Sequence, residues 1–194
     1  SWEDIQRGRL DVKIGSEIVE KLKTGEEVIF VVTDMDEEYI RIETKGHIGP
    51  KVPWHHTCIV DVPKSDMFHY LHTKILESFP DELRNVIATT ERKYISFRNG
   101  VKSYECKLFL PDPLELFGTF TTFKKEIPLE HVIYEQLEYY KHTPLSKGGK
   151  CWLNSGRKES FHSVCCMGGT FEESSVPWEK NYVSVCFLIK RLPE

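Results

Sequence analysis

The chain has 194 residues, 40% of them apolar and 29% charged, with a formal net charge of −4 at pH 7. That mix supports a buried core and excludes a disordered chain. The acidic balance argues against a general nucleic-acid footprint, and no stretch approaches the roughly 18 apolar residues a transmembrane helix needs.

No secretory signal is visible, so a cytoplasmic protein is expected, with virion association as the alternative. Six cysteines occur, Cys58, Cys106, Cys151, Cys165, Cys166 and Cys186. A chain of this length does not need disulfide staples, and most of the six stand in apolar β-like runs. They are read as reduced and mostly buried.

Residues 11–44 predict an antiparallel β-meander with one buried face. Its runs EIVEKL, VIFVVTD and IRIET are rich in β-branched residues and bounded by Gly and acidic turn residues. Residues 45–64 hold Gly46, Gly49, Pro50, Pro53 and Pro63, which predicts irregular chain. A helix is expected from Ser65 and Asp66, with Phe68, Leu71, Ile75, Leu76 and Phe79 on its apolar face. A second, short helix starts at Pro80 and buries Leu83, Val86 and Ile87.

Two β-patterned runs surround Asn99-Gly100, the signature of a hairpin closed by a type I′ turn. PDPLELFG predicts a helical turn ending at Gly118. PLEHVIYEQLEYYKH predicts a helix with Val132, Ile133, Gln136, Leu137 and Tyr140 along one side. TPLSKGGK reads as a flexible loop, and residues 151–190 as short strands and long loops. One domain is expected, in three stretches: 1–62, 63–145 and 146–194.

Motifs with specific chemistry are sparse. His55, His56, Cys58, His69 and His72 raise a metal site, and HYLH puts His69 and His72 on one helical turn within reach of one ion. The competing reading makes His69 and His72 ordinary amphipathic positions near the surface. It is favoured because no Cys-x-x-Cys pair or His-Glu-x-x-His accompanies them. Cys165-Cys166 stands near His162 but lacks the surroundings of a catalytic thiol. DMDEE and FEESS lack EF-hand spacing and read as solvated turns. No phosphate loop, nucleophile elbow or kinase signature occurs. The expectation is a non-enzymatic protein without a cofactor or resident metal.

What remains is a recognition surface. Asn154, Arg157, Glu159, Phe161, His162, Trp178, Lys180, Asn181 and Tyr182 mix aromatic and Arg side chains with small polar ones, a usual composition for binding surfaces. Arg157, Phe161, Trp178 and Tyr182 are the expected anchors. The competing reading is ordinary loop, with Phe161 and Trp178 partly buried.

The order SDMFHYLHTKILESFPDELRNVI, KLFLPDPLELFG, WLNSG and VSVCFLIKR resembles an uncharacterised domain family of gut bacteria and their phages. The C-terminal half of that family is similar to the C-type lectin fold, which also carries the variable proteins of diversity-generating retroelements. By this resemblance Cys151–Gly156 and Val183–Ile189 flank a display region, Arg157–Tyr182. The first motif lacks its usual first tryptophan, arginine and proline here, and the closing motif its glycine, arginine and proline. No calcium or sugar motif is present.

The resemblance implies an α+β fold, with the N-terminal meander and helices packed on a C-type-lectin-like C-terminal half. It places Leu153, Val164, Cys166, Phe187 and Ile189 at buried strand positions. It implies a binding module for an unidentified protein ligand. An inhibitor of a host or defence protein encoded by a phage, or a component of a phage particle, are the alternatives. The sequence leaves the oligomeric state open.

Overall fold

A computed structural model describes residues 1–57, 61–96, 100–118, 133–156, 162–165 and 172–192. In chain order they begin with α1 (Trp2–Gln6), β1 (Glu17–Lys21), β2 (Glu27–Met35), β3 (Tyr39–Thr44) and β4 (Ile48–Val52). A helical stretch follows, made of α2 (Asp66–Tyr70), a π turn (Leu71–Ile75), α3 (Leu76–Ser78) and α4 (Asp81–Val86). Then come β5 (Thr90–Ser96), β6 (Gly100–Cys106), α5 (Pro113–Phe117) and α6 (Glu138–His142). The chain closes with β7 (Cys151–Gly156), β8 (His162–Cys165), β9 (Glu172–Ser175), β10 (Asn181–Val183) and β11 (Cys186–Lys190).

The fold is α+β. One sheet has the order β1-β2-β3-β11 and is antiparallel throughout. The second has the order β4-β10-β7-β8-β9, with one parallel pairing, β10 on β7. β5 and β6 form a separate hairpin. The last strand thus completes the first sheet, and β4 from the N-terminal part edges the second. The three stretches of the chain interleave in space. Among the described residues no helix is long and apolar enough to cross a membrane.

The meander forms where the β-branched runs predicted it, but β3 is buried on both faces. Successive strand residues point to opposite sides. Ile40 and Ile42 join Phe30, Val32, Phe187 and Ile189 in the apolar core. The Phe30 ring meets Trp2, Phe79 and Phe187 edge-on, with centroids 5.9, 5.7 and 5.4 Å away. Each such side chain contributes about 1.5–3 kcal/mol on full burial.

Arg41 and Glu43 take the other face, together with Cys186, and are buried there too. Arg41 Nη1 lies 2.7 Å from Glu115 Oε1. Arg92 Nη2 donates to Glu115 Oε2 at 2.9 Å. The Asp112 amide donates to the same oxygen at 2.9 Å, closing a capping box at the start of α5. The Arg92 guanidinium sits 4.1 Å from the centroids of both Phe109 and Tyr134. Glu43 accepts from Tyr140 Oη at 2.7 Å and from Lys147 Nζ, which also donates to the Thr44 carbonyl. Three buried cations, Arg41, Arg92 and Lys147, therefore face two buried carboxylates, Glu43 and Glu115.

Several expectations are corrected. Ile48–Val52 is a strand despite Gly49 and Pro50. It is the outer strand of its sheet, where a missing N–H costs least. The helix expected over 128–142 is helical only from Glu138 among the described residues, with Leu137 as its N-cap. The hairpin register pairs Ser96 with Gly100, and the turn expected at Asn99-Gly100 lies partly outside the described residues. Gly100 has φ +70°. Lys147 and Leu145 are buried, which ties down the loop predicted as flexible. Leu153, Phe187 and Ile189 are buried as expected, the Val164 backbone lies in β8, and Cys166 falls outside the described residues. Cys106, Cys151 and Cys186 are buried. Cys58 and Cys166 lie outside the described residues, and Cys165 is placed in β8 by its backbone.

Burial pushes the Glu115 carboxyl up, but Arg41 and Arg92 outweigh it and hold the group below the ordinary carboxylate range. Its contribution is therefore complete above about pH 4.3, the unfolded value, and is lost as pH falls further. Glu115→Gln is expected to destabilise the protein by about 3–5 kcal/mol at pH 7, because it leaves buried arginines uncompensated. Urea unfolding at pH 7 and pH 3 checks this: the deficit of the variant should shrink at the lower pH.

Candidate functional site

The turn between β9 and β10 is built by short-range hydrogen bonds. Ser175 Oγ donates to Glu179 Oε2, and the Glu179 amide donates to the Val176 carbonyl at 3.0 Å. Asn181 Nδ2 donates to Ser175 Oγ at 2.9 Å. Pro177 is buried, and its carbonyl accepts the amides of Trp54 at 2.8 Å and His55 at 3.1 Å. This anchored turn holds Trp178 outward, with 53% of its surface exposed. Lys180 beside it is also exposed.

Tyr182, next along β10, is half-buried. Its ring stacks on His47 at 3.8 Å and 12°, and Lys51 Nζ stands 4.9 Å from its centroid. Gly149 makes this stacking possible. A Cβ there would lie 2.7 Å from two carbons of the Tyr182 ring. His47, Lys51 and Gly149 were not singled out from the sequence. The first two lie more than 130 residues from Tyr182, and no local spacing encodes such a contact.

The other expected ligand-binding residues separate. Asn154 is buried: its Oδ1 accepts from Tyr104 Oη at 3.0 Å and its Nδ2 donates to the Lys93 carbonyl at 3.1 Å. It locks the β5–β6 hairpin onto β7 and presents nothing to a ligand. Asn181 is likewise buried and belongs to the turn. The His162 backbone pairs with Gly156 and Ser175. Arg157, Glu159 and Phe161 lie outside the described residues. Of those whose side chains are described, Trp178, Lys180 and part of Tyr182 are open to a partner.

No family model matches the chain, and neither does any curated protein or solved structure. The function has to be argued from the arrangement itself.

Two other places concentrate charge or reactive groups. A cleft of about 410 Å³ lies over Arg41 and Arg92, rimmed by Asp34, Asp36, Glu135 and Glu138. Glu115 already engages both arginines, so the cleft floor serves the fold. Burial pushes the Cys106 thiol up to about 12 and the Cys186 thiol further, so neither is a nucleophile at neutral pH.

The histidines regroup as well. His72 does not share an ion with His69. Its Nδ1 donates to the Phe68 carbonyl at 2.8 Å, and its Nε2 accepts the amides of Lys107 and Leu108 at 3.1 and 3.3 Å. Both nitrogens are used, which fixes the neutral tautomer and joins the helical stretch to the chain after β6. His55 and His56 instead converge on Asp66, the first residue of α2.

Burial lowers the His72 pKa, against the opposing effect of its bond to Phe68. The fold therefore favours the uncharged ring, and the unfolded chain takes up the proton first as pH falls below about 6.5. Stability is expected to drop between about pH 7 and pH 5. In His72→Ala, less stable at pH 7 by about 1–3 kcal/mol through two orphaned amides, that slope should flatten. Denaturant midpoints across this range check it.

Proposed function

We propose that the chain is a non-enzymatic binding module whose ligand is another protein, with Trp178 at the centre of the contact. The single observation behind this is an exposed indole held on a turn whose backbone is tied to the Trp54–His55 segment. A large aromatic group on an ordered backbone spares the cost of ordering the turn on docking, and such groups dominate interface energetics. Lys180 and the half-buried Tyr182 extend the surface.

The resemblance of Cys151–Gly156 and Val183–Ile189 to the display scaffold of lectin-like variable proteins supports the same region as the working face. It implies that the variable part is 157–182. A lectin-like scaffold does not carry sugar or calcium binding with it.

Trp178→Ala tests the proposal, since an exposed side chain can be truncated without touching the core. Capture from lysate of the natural host with the parent protein and with Trp178→Ala should isolate a partner bound at least about 30-fold more weakly by the variant, the size of a hot-spot loss. The melting curves of the two proteins should coincide. Partners that bind both proteins equally would overturn the assignment.

A further inference from the structure

We propose that His55, His56 and Asp66 form a binding site for a divalent transition metal of the zinc class, made of other side chains than the protein-docking face. The three side chains come from two segments that the fold holds together. His55 and His56 follow β4, and Asp66 opens α2 directly after its N-cap, Ser65. The Pro177 carbonyl fixes the His55 amide, and the Met67 amide donates to the Trp54 carbonyl at 2.9 Å. Neither segment needs to move to bring the ligands together.

One donor atom from each residue lies within 4.8 Å of the other two. His55 Nδ1 is 3.2 Å from Asp66 Oδ1, and His56 Nδ1 is 2.7 Å from Asp66 Oδ2. Around a tetrahedral ion with bonds of roughly 2.0–2.1 Å, neighbouring ligand atoms stand about 3.3 Å apart. The His55 distance matches that spacing, and the His56 distance, to the other Asp66 oxygen, is about 0.6 Å shorter, so a small opening of the cluster would seat the ion.

Backbone bonds hold the three side chains in this position: Asp66 Oδ2 also accepts the His56 amide at 2.9 Å, and the Asp66 amide donates to His55 Nδ1 at 3.2 Å, a bond that a metal on that nitrogen would replace. Two neutral imidazoles and one carboxylate bring a single negative charge. That donor set suits zinc, cobalt, nickel or copper rather than magnesium or calcium.

Exposure completes the arrangement. His55 is buried, Asp66 half-buried, and the His56 side chain is 68% exposed. Three protein ligands with one side facing water leave a fourth position for solvent, the pattern of an open rather than a closed structural site.

The test uses the whole chain after chelator treatment, titrated with cobalt(II) and followed by its visible absorption, then with zinc by calorimetry. One equivalent per chain is expected, with the intense visible bands of a tetrahedral cobalt site. His56→Ala and Asp66→Asn should each weaken binding more than the roughly 10–100-fold that losing an outer partner costs. His69→Ala, an exposed histidine outside the cluster, should bind like the parent. His56→Gln, checked for an unchanged melting curve, keeps the test valid if the alanine variant is poorly folded. Absence of a one-to-one metal complex, or one that survives His56→Ala and Asp66→Asn, would overturn the proposal.

Discussion

Glu115 is the constraint on which the rest of the structure depends. A carboxylate this deeply buried is tolerable only with its charge compensated and its oxygens bonded. Arg41 from β3, Arg92 from β5 and the Asp112 amide from its own helix supply that. The pair Glu43–Lys147 continues the cluster to the loop before β7. The charges thus tie the first sheet to the hairpin, to α5 and to the entry of the second sheet. Replacing such a cluster by apolar groups is often neutral or stabilising, so its value here is in specifying the arrangement. A one-residue slip of β3 would turn Arg41 and Glu43 into the aromatic core and Ile40 and Ile42 out of it.

The same cluster explains what the sequence reading caught and missed. IRIET was legible as a strand because its β-branched residues follow an acidic turn, and one buried face was expected of it. The polar positions were assigned to water, since alternation cannot tell a solvated face from a paired one. Their partners Glu115, Tyr140 and Lys147 stand 74 to 104 positions away, and only tertiary structure brings them near. α5 was legible because its signals are local: Asp112 caps it, Pro113 starts it and Gly118 ends it with φ +68°. β4 was missed because Pro50 was weighed without its edge position. Asn154 was taken for a surface residue because nothing local announces the bonds from Tyr104 and to Lys93.

The candidate sites follow this division. Trp178 and Tyr182 were legible as aromatic residues in polar chain. What holds them, the Pro177 carbonyl under one and the His47 ring under the other, was not. The histidines were noticed as a group, but helical spacing favoured His69 with His72. The structure employs His72 as a tie between segments and turns His55 and His56 toward Asp66, ten and more residues on. The docking face and the histidine cluster share one support, the bonds between Pro177 and the Trp54–His55 segment.

Native-state hydrogen exchange with rising denaturant tests most directly whether the two sheets form one unit. The amides of Thr44 and Cys186 report on the first sheet, through their bonds to the Val185 and Phe109 carbonyls. Those of Asn154 and Tyr182 report on the second, through the Pro111 and Lys150 carbonyls. All four are expected to exchange by a single opening whose free energy equals that of global unfolding. Exchange of Asn154 and Tyr182 through a separate, lower-energy opening, with Thr44 and Cys186 still protected, would contradict the account.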